Sequence, residues 1–460
     1  MKPVLLIDFG STYTKVTAVD VESETLLGTA SSYTTVQTDI GEGLQNALDI
    51  LEQKTGKLNF AERYACSSAA GGLRMITSGL VPELTAEAAK QASLGAGAKV
   101  IRVYSYELTK KDVAEIVASH PDMLLLVGGT DGGNSECILA NAKKLSQVEP
   151  ICPIVIAGNR NCADECEELL DKWETHVCEN VMPKFNELNI EPAQREIRQI
   201  FLNRIIQAKG LSKAAELISG ILMPTPAAMM AAMQLLAEGT KTESGIGELV
   251  AVDLGGATTD VYSIADGMPT QPNTIVKGLM EPYAKRTVEG DIGMRYSIWG
   301  IVDAAGIDRV SQLSGIAPER AKEMIQFLSE NTETLPKDQE WENLDFALAS
   351  LAVETAVIRH AGTIEQVYTP MGLAYSQIGK DLTSVRRFVV TGGAIIHTKR
   401  TGEIASHGLR NPNQPGSLRP ADAKFFVDRK YILAAMGLLG QYYPDTALRI
   451  MKKELTEATE

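Results

Sequence analysis

Asp8 closes an apolar run, Val4-Leu5-Leu6-Ile7, and is followed by Phe9-Gly10-Ser11-Thr12-Tyr13-Thr14-Lys15. A carboxylate at a strand end, a turn of small and hydroxyl residues and then a lysine are groups that can handle phosphate. Glycine lets backbone N–H groups approach an anion, hydroxyls add donors and the lysine adds a neutralising charge. The carboxylate suits Mg²⁺, which keeps most of its waters and takes one or two carboxylates beside phosphate oxygens. Taken alone, the segment reads equally well as a β-hairpin with a hydroxyl-rich turn.

A second copy favours the phosphate reading. Asp253-Leu254-Gly255-Gly256-Ala257-Thr258-Thr259-Asp260 again ends an apolar run in a carboxylate, a glycine turn and hydroxyls, 245 residues further along. Such a repeat implies two structurally related lobes. Lobes facing each other are expected to bring Asp8 and Asp253 to one Mg²⁺–phosphate centre, held largely through water. Asp260 is then available to polarise or deprotonate an attacking water. A third element, Phe388-Val389-Val390-Thr391-Gly392-Gly393-Ala394, is an apolar strand ending in a glycine pair, where backbone can lie against a nucleoside. The candidate catalytic residues are Asp8, Asp253 and Asp260. The candidate nucleotide contacts are Gly10, Ser11, Thr12, Thr14 and Lys15, then Gly255, Gly256, Ala257, Thr258 and Thr259, then Gly392, Gly393 and Ala394.

The elements that position these groups follow from hydrophobic period. Both Asp motifs resume apolar–polar alternation straight after the turn, the mark of a hairpin rather than a strand–helix unit. From Lys99 to about 180, apolar runs alternate with helical stretches starting near Thr109, Asn134 and Asn161, a βαβ series with a parallel sheet. Thr225 is placed to cap a helix, with Pro226 in its first turn and Gly239 as its stop. Residues 241–247 read as a linker. Beyond them come a loop and helix over 289–297, helices near 317–330 and 341–361, a strand at 387–393, a loop over 402–424 and a helical tail ending in a frayed polar stretch.

The 460 residues carry 44 Lys and Arg against 58 Asp and Glu, a net charge of −14, which argues against a nucleic-acid surface. Hydrophobic residues at 44% and charged residues at 22% describe a globular protein of about three domains or two large lobes. The apolar run at Val4–Ile7 is too short for a signal peptide and no stretch approaches a membrane span, so a cytoplasmic protein without membrane partner is expected. Four of the 6 cysteines, Cys152, Cys162, Cys166 and Cys178, lack the paired spacing of zinc ribbons. They are expected as small core residues, the middle two on a helix and the outer two on strands. Two glycine-rich segments keep two readings each. Gly128-Gly129-Thr130-Asp131-Gly132-Gly133-Asn134 is a tight turn into a capped helix or a second anion loop, and Ser67–Gly72 is a close approach for a nucleotide or for a helix. Arg286 and Arg295 suit phosphate, a crossing of the hinge between the lobes or surface ion pairs, and Asp291 a helix cap.

The three motifs in this order resemble the actin, heat-shock chaperone and sugar-kinase superfamily, which binds ATP between two ribonuclease H-like lobes. Pro224-Thr225-Pro226-Ala227-Ala228 and Glu289–Arg295 look like its two connecting segments. Residues 65–75, 79–100, 124–134 and 281–297 are similar to glutamate mutase L, the methylaspartate mutase accessory protein family, over essentially the whole length. That family shares its older name with a DNA mismatch-repair protein whose ATPase motifs are not found here. The resemblance implies an α/β fold of two actin-like ATPase lobes. Residues 1–240 would form the first lobe, with an inserted βαβ segment at about 60–220, and 241–460 the second, its C-terminal helix returning to the first. It also implies ATP and Mg²⁺ as cofactors, no directly bound cobalamin, and slow ATP hydrolysis that frees damaged cobalamin from an adenosylcobalamin-dependent mutase client. The alternatives are a small-molecule kinase of the same superfamily and an actin-like filament protein. Nothing in the residues assigns an oligomeric state.

Overall fold

The protein is described by a computed structural model covering residues 1–10, 13–33, 40–68, 73–208, 221–370 and 372–458. It divides into two units, Met1–Ala232 with Ile432–Ile450, and Met233–Tyr431 with Met451–Glu460.

In the first unit, β1 (Pro3–Phe9) runs antiparallel to β2 (Tyr13–Asp20) and parallel to β4 (Glu62–Ser67). β3 (Thr25–Tyr33) extends the sheet beyond β2 and β10 (Ile221–Pro224) beyond β4, in the order β10-β4-β1-β2-β3. Every residue of β1 is buried. A central strand covered on both faces reads as an unbroken apolar run, so Asp8 interrupts it at a cost that must be met by partners. The helix Leu433–Leu439 packs on β1 and β4. Gly437 permits this, because a Cβ there would lie 1.8 Å from the Ala228 carbonyl oxygen. The same segment is tied down by Tyr443, whose hydroxyl donates to Glu62 at 2.9 Å, and by Tyr442 stacked on Tyr64 at 4.4 Å.

Between β4 and β10 the chain builds a separate sheet from β5 (Arg74–Gly79), β6 (Lys99–Ser105), β7 (Met123–Leu126), β8 (Ile154–Ile156) and β9 (Thr175–Val177). All its pairings are parallel, in the order β6-β5-β7-β8-β9. Thr109 starts the helix Lys110–Ser119 with a reciprocal capping box to Asp112. The glycine-rich turn after β7 is held by two buried asparagines. Asn159 bonds the backbone of Gly132, Gly133 and Asn134, and Asn180 bonds Gly129 and Asp131. Cys162 and Cys166 are buried at the start of the helix Ala163–Leu169. Cys152 and Cys178 do not lie on strands as expected but in the loops flanking β8 and β9, where the apolar run outlasts the ladder. Burial pushes the Cys166 and Cys178 thiols up to about 12, so both stay protonated.

The second unit repeats the first unit's sheet. β11 (Leu249–Leu254) is antiparallel to β12 (Thr259–Ile264) and parallel to β17 (Arg387–Thr391). β14 (Ala284–Glu289) flanks β12, and β18 (Lys424–Val427) flanks β17. The order β14-β12-β11-β17-β18 and the strand directions match those of the first unit, as the repeat implied, and both are the ribonuclease H-like arrangement that the resemblance implied. A smaller sheet joins β13 (Thr274–Lys277), β16 (Gly372–Ile378) and β15 (Thr363–Thr369). The core gathers around the helix Gln339–His360, capped by Asp338. Two expectations are corrected. Residues 401–406 form a helix, because Thr401, Ile404 and Ala405 turn inward over too short a run to show a period. The polar tail is not frayed, because β19 (Thr456–Glu457) pairs with β18 through backbone bonds that need no apolar side chain.

Glu354 on the long helix is 3% exposed and receives Arg309 Nη2 at 2.7 Å. Burial opposes its charge, but His407 and Arg309 outweigh burial and hold the carboxyl at about 2, below its ordinary 4.5. A depressed folded value gives stability that is complete above the unfolded value and lost as pH falls toward the folded one. Glu354→Gln is therefore expected to lose about 2–3 kcal/mol at pH 7 in urea unfolding, with the deficit shrinking below the unfolded carboxyl's range. A deficit independent of pH between neutrality and strong acid would contradict this account.

Among the described residues no helix is long and apolar enough to cross a membrane.

Candidate functional site

The first turn is built by the β1–β2 hairpin. Gly10 N–H donates to the Tyr13 carbonyl at 3.1 Å, and a Cβ on Gly10 would lie 2.5 Å from that oxygen. The bend therefore needs glycine. Strand pairing sets Lys15 directly opposite Asp8 on β2 and Cys66 opposite it on β4. Asp8 is 7% exposed. Its Oδ1 accepts from Thr225 Oγ1 at 2.6 Å and lies 3.5 Å from Cys66 Sγ, while Lys15 Nζ stands 3.9 Å from Oδ2. Burial, with Asp8 beside it, pushes the Cys66 thiol well above its ordinary range, so the thiol stays a donor. Thr225, expected as a helix cap, is instead the first residue of the helix Thr225–Glu238, and its hydroxyl donates to Asp8. Thr14 is fully buried on β2. Ser11 and Thr12 lie outside the described residues, as do Ala69 to Gly72.

The second turn repeats the first. Gly255 N–H donates to the Thr258 carbonyl at 3.0 Å, the same bond 245 residues on. Asp253, partly exposed, stands in register between Asp260 on β12 and Thr391 on β17. Gly256 is exposed, Ala257 and Thr258 are partly so, and Thr259 is buried with its hydroxyl donating to the Ile292 carbonyl at 3.0 Å. The segment after β14, expected as loop and helix, is loop throughout, and its helix starts only at Ile298. Its backbone is drawn onto the turn. Met294 N–H donates to Gly255 O at 3.0 Å, and those of Arg295 and Tyr296 donate to Gly256 O, each at 2.9 Å. Asp291 is not a cap, since with Glu289 it binds Arg359, at 3.0 and 2.6 Å.

Two arginines left open by the sequence are internal. Arg286, 5% exposed, sends Nε at 2.8 Å and Nη2 at 2.6 Å to Asp260 Oδ1, and Arg295 pairs with Asp345 at 3.0 Å. Burial works against the Arg286 charge, but Asp260 and Tyr262 hold its proton above the ordinary range. Asp260 Oδ2 accepts a longer bond, 3.4 Å, from Thr258 Oγ1.

The third motif ends β17. Gly392 has φ +114°, and a Cβ there would lie 2.2 Å from the Leu254 carbonyl oxygen. Gly393, next to it, is exposed and faces open space. Ala394 is half-buried in the short helix Gly393–Ile396.

The first unit thus joins Asp8 and Lys15 with Cys66 and Thr225, which sequence reasoning did not connect to them. The second joins Asp253, Asp260 and Gly392 with Arg286. No periodicity links a carboxylate to partners 58 and 217 residues away, one on a neighbouring strand and the other at the start of a helix.

The profile of the MutL protein family matches residues 4–455. The chain belongs to the MutL protein family. Protein MutL of Clostridium tetanomorphum is 51% identical to this MutL chain over 461 residues, covering 99% of it and all of the relative. Among solved structures it is similar to nucleotide-free acetone carboxylase, at 14% identity over 95% of this chain and 69% of that one, with a TM-score of 0.39. It is also similar to the activator of 2-hydroxyisocaproyl-CoA dehydratase from Clostridium difficile with bound ADPNP, at 10% identity over the whole of both chains, with a TM-score of 0.34.

Proposed function

We propose that this MutL protein is an ATP-dependent reactivating chaperone that hydrolyses ATP slowly and, in the cytoplasm, frees damaged cobalamin from an adenosylcobalamin-dependent mutase, glutamate mutase or a related enzyme. The observation that carries the reading is the duplicated turn, with a strand-end aspartate and the same glycine N–H bond in both units. Membership of the family supports it, since the name MutL is shared with the glutamate mutase accessory proteins.

The phosphates are assigned to Gly10, Ser11, Thr12, Thr14 and Lys15 and to Gly255, Gly256, Ala257, Thr258 and Thr259, with Gly392, Gly393 and Ala394 toward the nucleoside. Asp8 and Asp253 would hold Mg²⁺ through water. Each offers hard carboxylate oxygens at a strand end, the donors Mg²⁺ takes while keeping its waters. Magnesium, when bound, neutralises phosphate charge. The chain's own part is positional. Thr225 fixes the rotamer of Asp8, Lys15 balances its charge, and Asp260 orients the attacking water. The mutase is the protein client, and cobalamin is not bound directly.

Purified protein with Mg-ATP, mixed with a mutase inhibited by cyanocobalamin, is expected to hydrolyse ATP and to restore mutase turnover. ATP-dependent phosphorylation of a sugar or acid from a substrate panel would point instead to a kinase, and ATP-dependent sedimentation to a filament. Absence of both ATP hydrolysis and restored turnover would refute the proposal.

A further inference from the structure

The two turns differ in the charge set opposite the strand-end aspartate. Lys15 stands opposite the strand-end Asp8 in the first unit, and Asp260 stands opposite Asp253 in the second. A lysine there compensates the carboxylate. A second carboxylate sets like charges directly across a strand pair, which is destabilising and dissipates poorly near a protein interior. The missing cation comes from the next strand. Arg286 on β14 lies 5% exposed, with Nε and Nη2 both on Oδ1 of Asp260, at 2.8 and 2.6 Å. A buried guanidinium is tolerated only when paired, and this one holds its partner by a single oxygen. Asp260 keeps Oδ2 at the turn, where Thr258 makes the 3.4 Å contact.

We propose that Arg286 is a positioning residue for nucleotide hydrolysis: it clamps Oδ1 of Asp260, offsets the repulsion from Asp253, and leaves Oδ2 to orient the attacking water. This rests on the nucleotide reading of the second turn. Arg286 itself touches no phosphate in this account. It acts through Asp260, as Lys15 acts on Asp8, with the cation moved one strand outward so that a carboxylate can occupy the position facing the turn.

A double-mutant cycle tests it. ATP hydrolysis and affinity for a fluorescent ATP analogue are measured for the wild type, Arg286→Met, Asp260→Asn and the double variant. Arg286→Met is expected to lower kcat about 10- to 100-fold with analogue affinity changed only a few-fold, and to cost nothing further once Asp260 is asparagine. Should the methionine variant not fold, Arg286→Lys, which keeps the charge without the fork, carries the cycle with an expected loss of about 3- to 10-fold, again absent in the Asp260→Asn background. Losses that multiply, or an Arg286 variant with wild-type kcat, overturn the inference while leaving the nucleotide reading intact. A wild type that neither binds the analogue nor hydrolyses ATP overturns both.

Discussion

Asp8→Asn is expected to reduce kcat for ATP hydrolysis about 10³-fold while the protein remains folded. Asparagine keeps the shape of the side chain and an oxygen that can accept from Thr225 Oγ1, now at 2.6 Å from the carboxylate. What it removes is the negative charge, the property assigned to the metal–phosphate centre. The structural cost is small by comparison. Lys15 is 3.9 Å from Asp8 and a quarter exposed, so losing that pair costs on the order of 1 kcal/mol or less. Catalytic loss of several kcal/mol beside so small a stability loss separates function from folding. Turnover measured at saturating Mg-ATP, with thermal unfolding on the same samples, gives both quantities. Retention of kcat within about threefold would remove Asp8 from the catalytic set.

The second large effect concerns Gly392. Its φ of +114° is disfavoured for any residue with a Cβ, and the added atom would meet the Leu254 carbonyl oxygen at 2.2 Å, with the Leu254 carbonyl carbon and nitrogen at 2.8 Å. These are backbone atoms at the end of β11, one residue after Asp253, so no rotamer change relieves the clash. Backbone strain of about 1–3 kcal/mol adds to the displacement of the strand end. Gly392→Ala is therefore expected to lower Tm by about 3–5 °C in a chain of this size. Gly393→Ala, one position on, meets nothing within 4 Å and should leave Tm within about 1 °C. A bulkier Gly393→Leu is expected to weaken ATP binding instead, since the proposed nucleoside approach runs over that exposed backbone. Equal Tm losses at the two glycines would contradict the distinction.

Those neighbours show where local reading stops. The pair Gly392-Gly393 looks uniform along the chain, and both residues follow an apolar strand. Only the carbonyl of Leu254, brought in by parallel pairing of β17 on β11, makes one indispensable and leaves the other open. Arg286 is the same kind of case. Its flanking residues suited a phosphate contact or a surface ion pair, and its burial against Asp260 follows from β14 lying beside β12. The segment 289–297 reads as loop and helix, but at 294–296 its N–H groups bond the carbonyls of Gly255 and Gly256 instead. Tertiary acceptors outweigh a weak helical preference.

The two Asp hairpins were legible from residue order, because each is made of contiguous residues whose period-2 alternation and glycine turn are local properties. Their repetition over 245 residues implied the matched sheets for the same reason. The partners of the carboxylates were not legible. Thr225 and Cys66 at Asp8, Arg286 at Asp260 and Leu254 at Gly392 all meet across strand order and register, and these are set by how whole sheets bury their apolar faces rather than by any spacing along the chain.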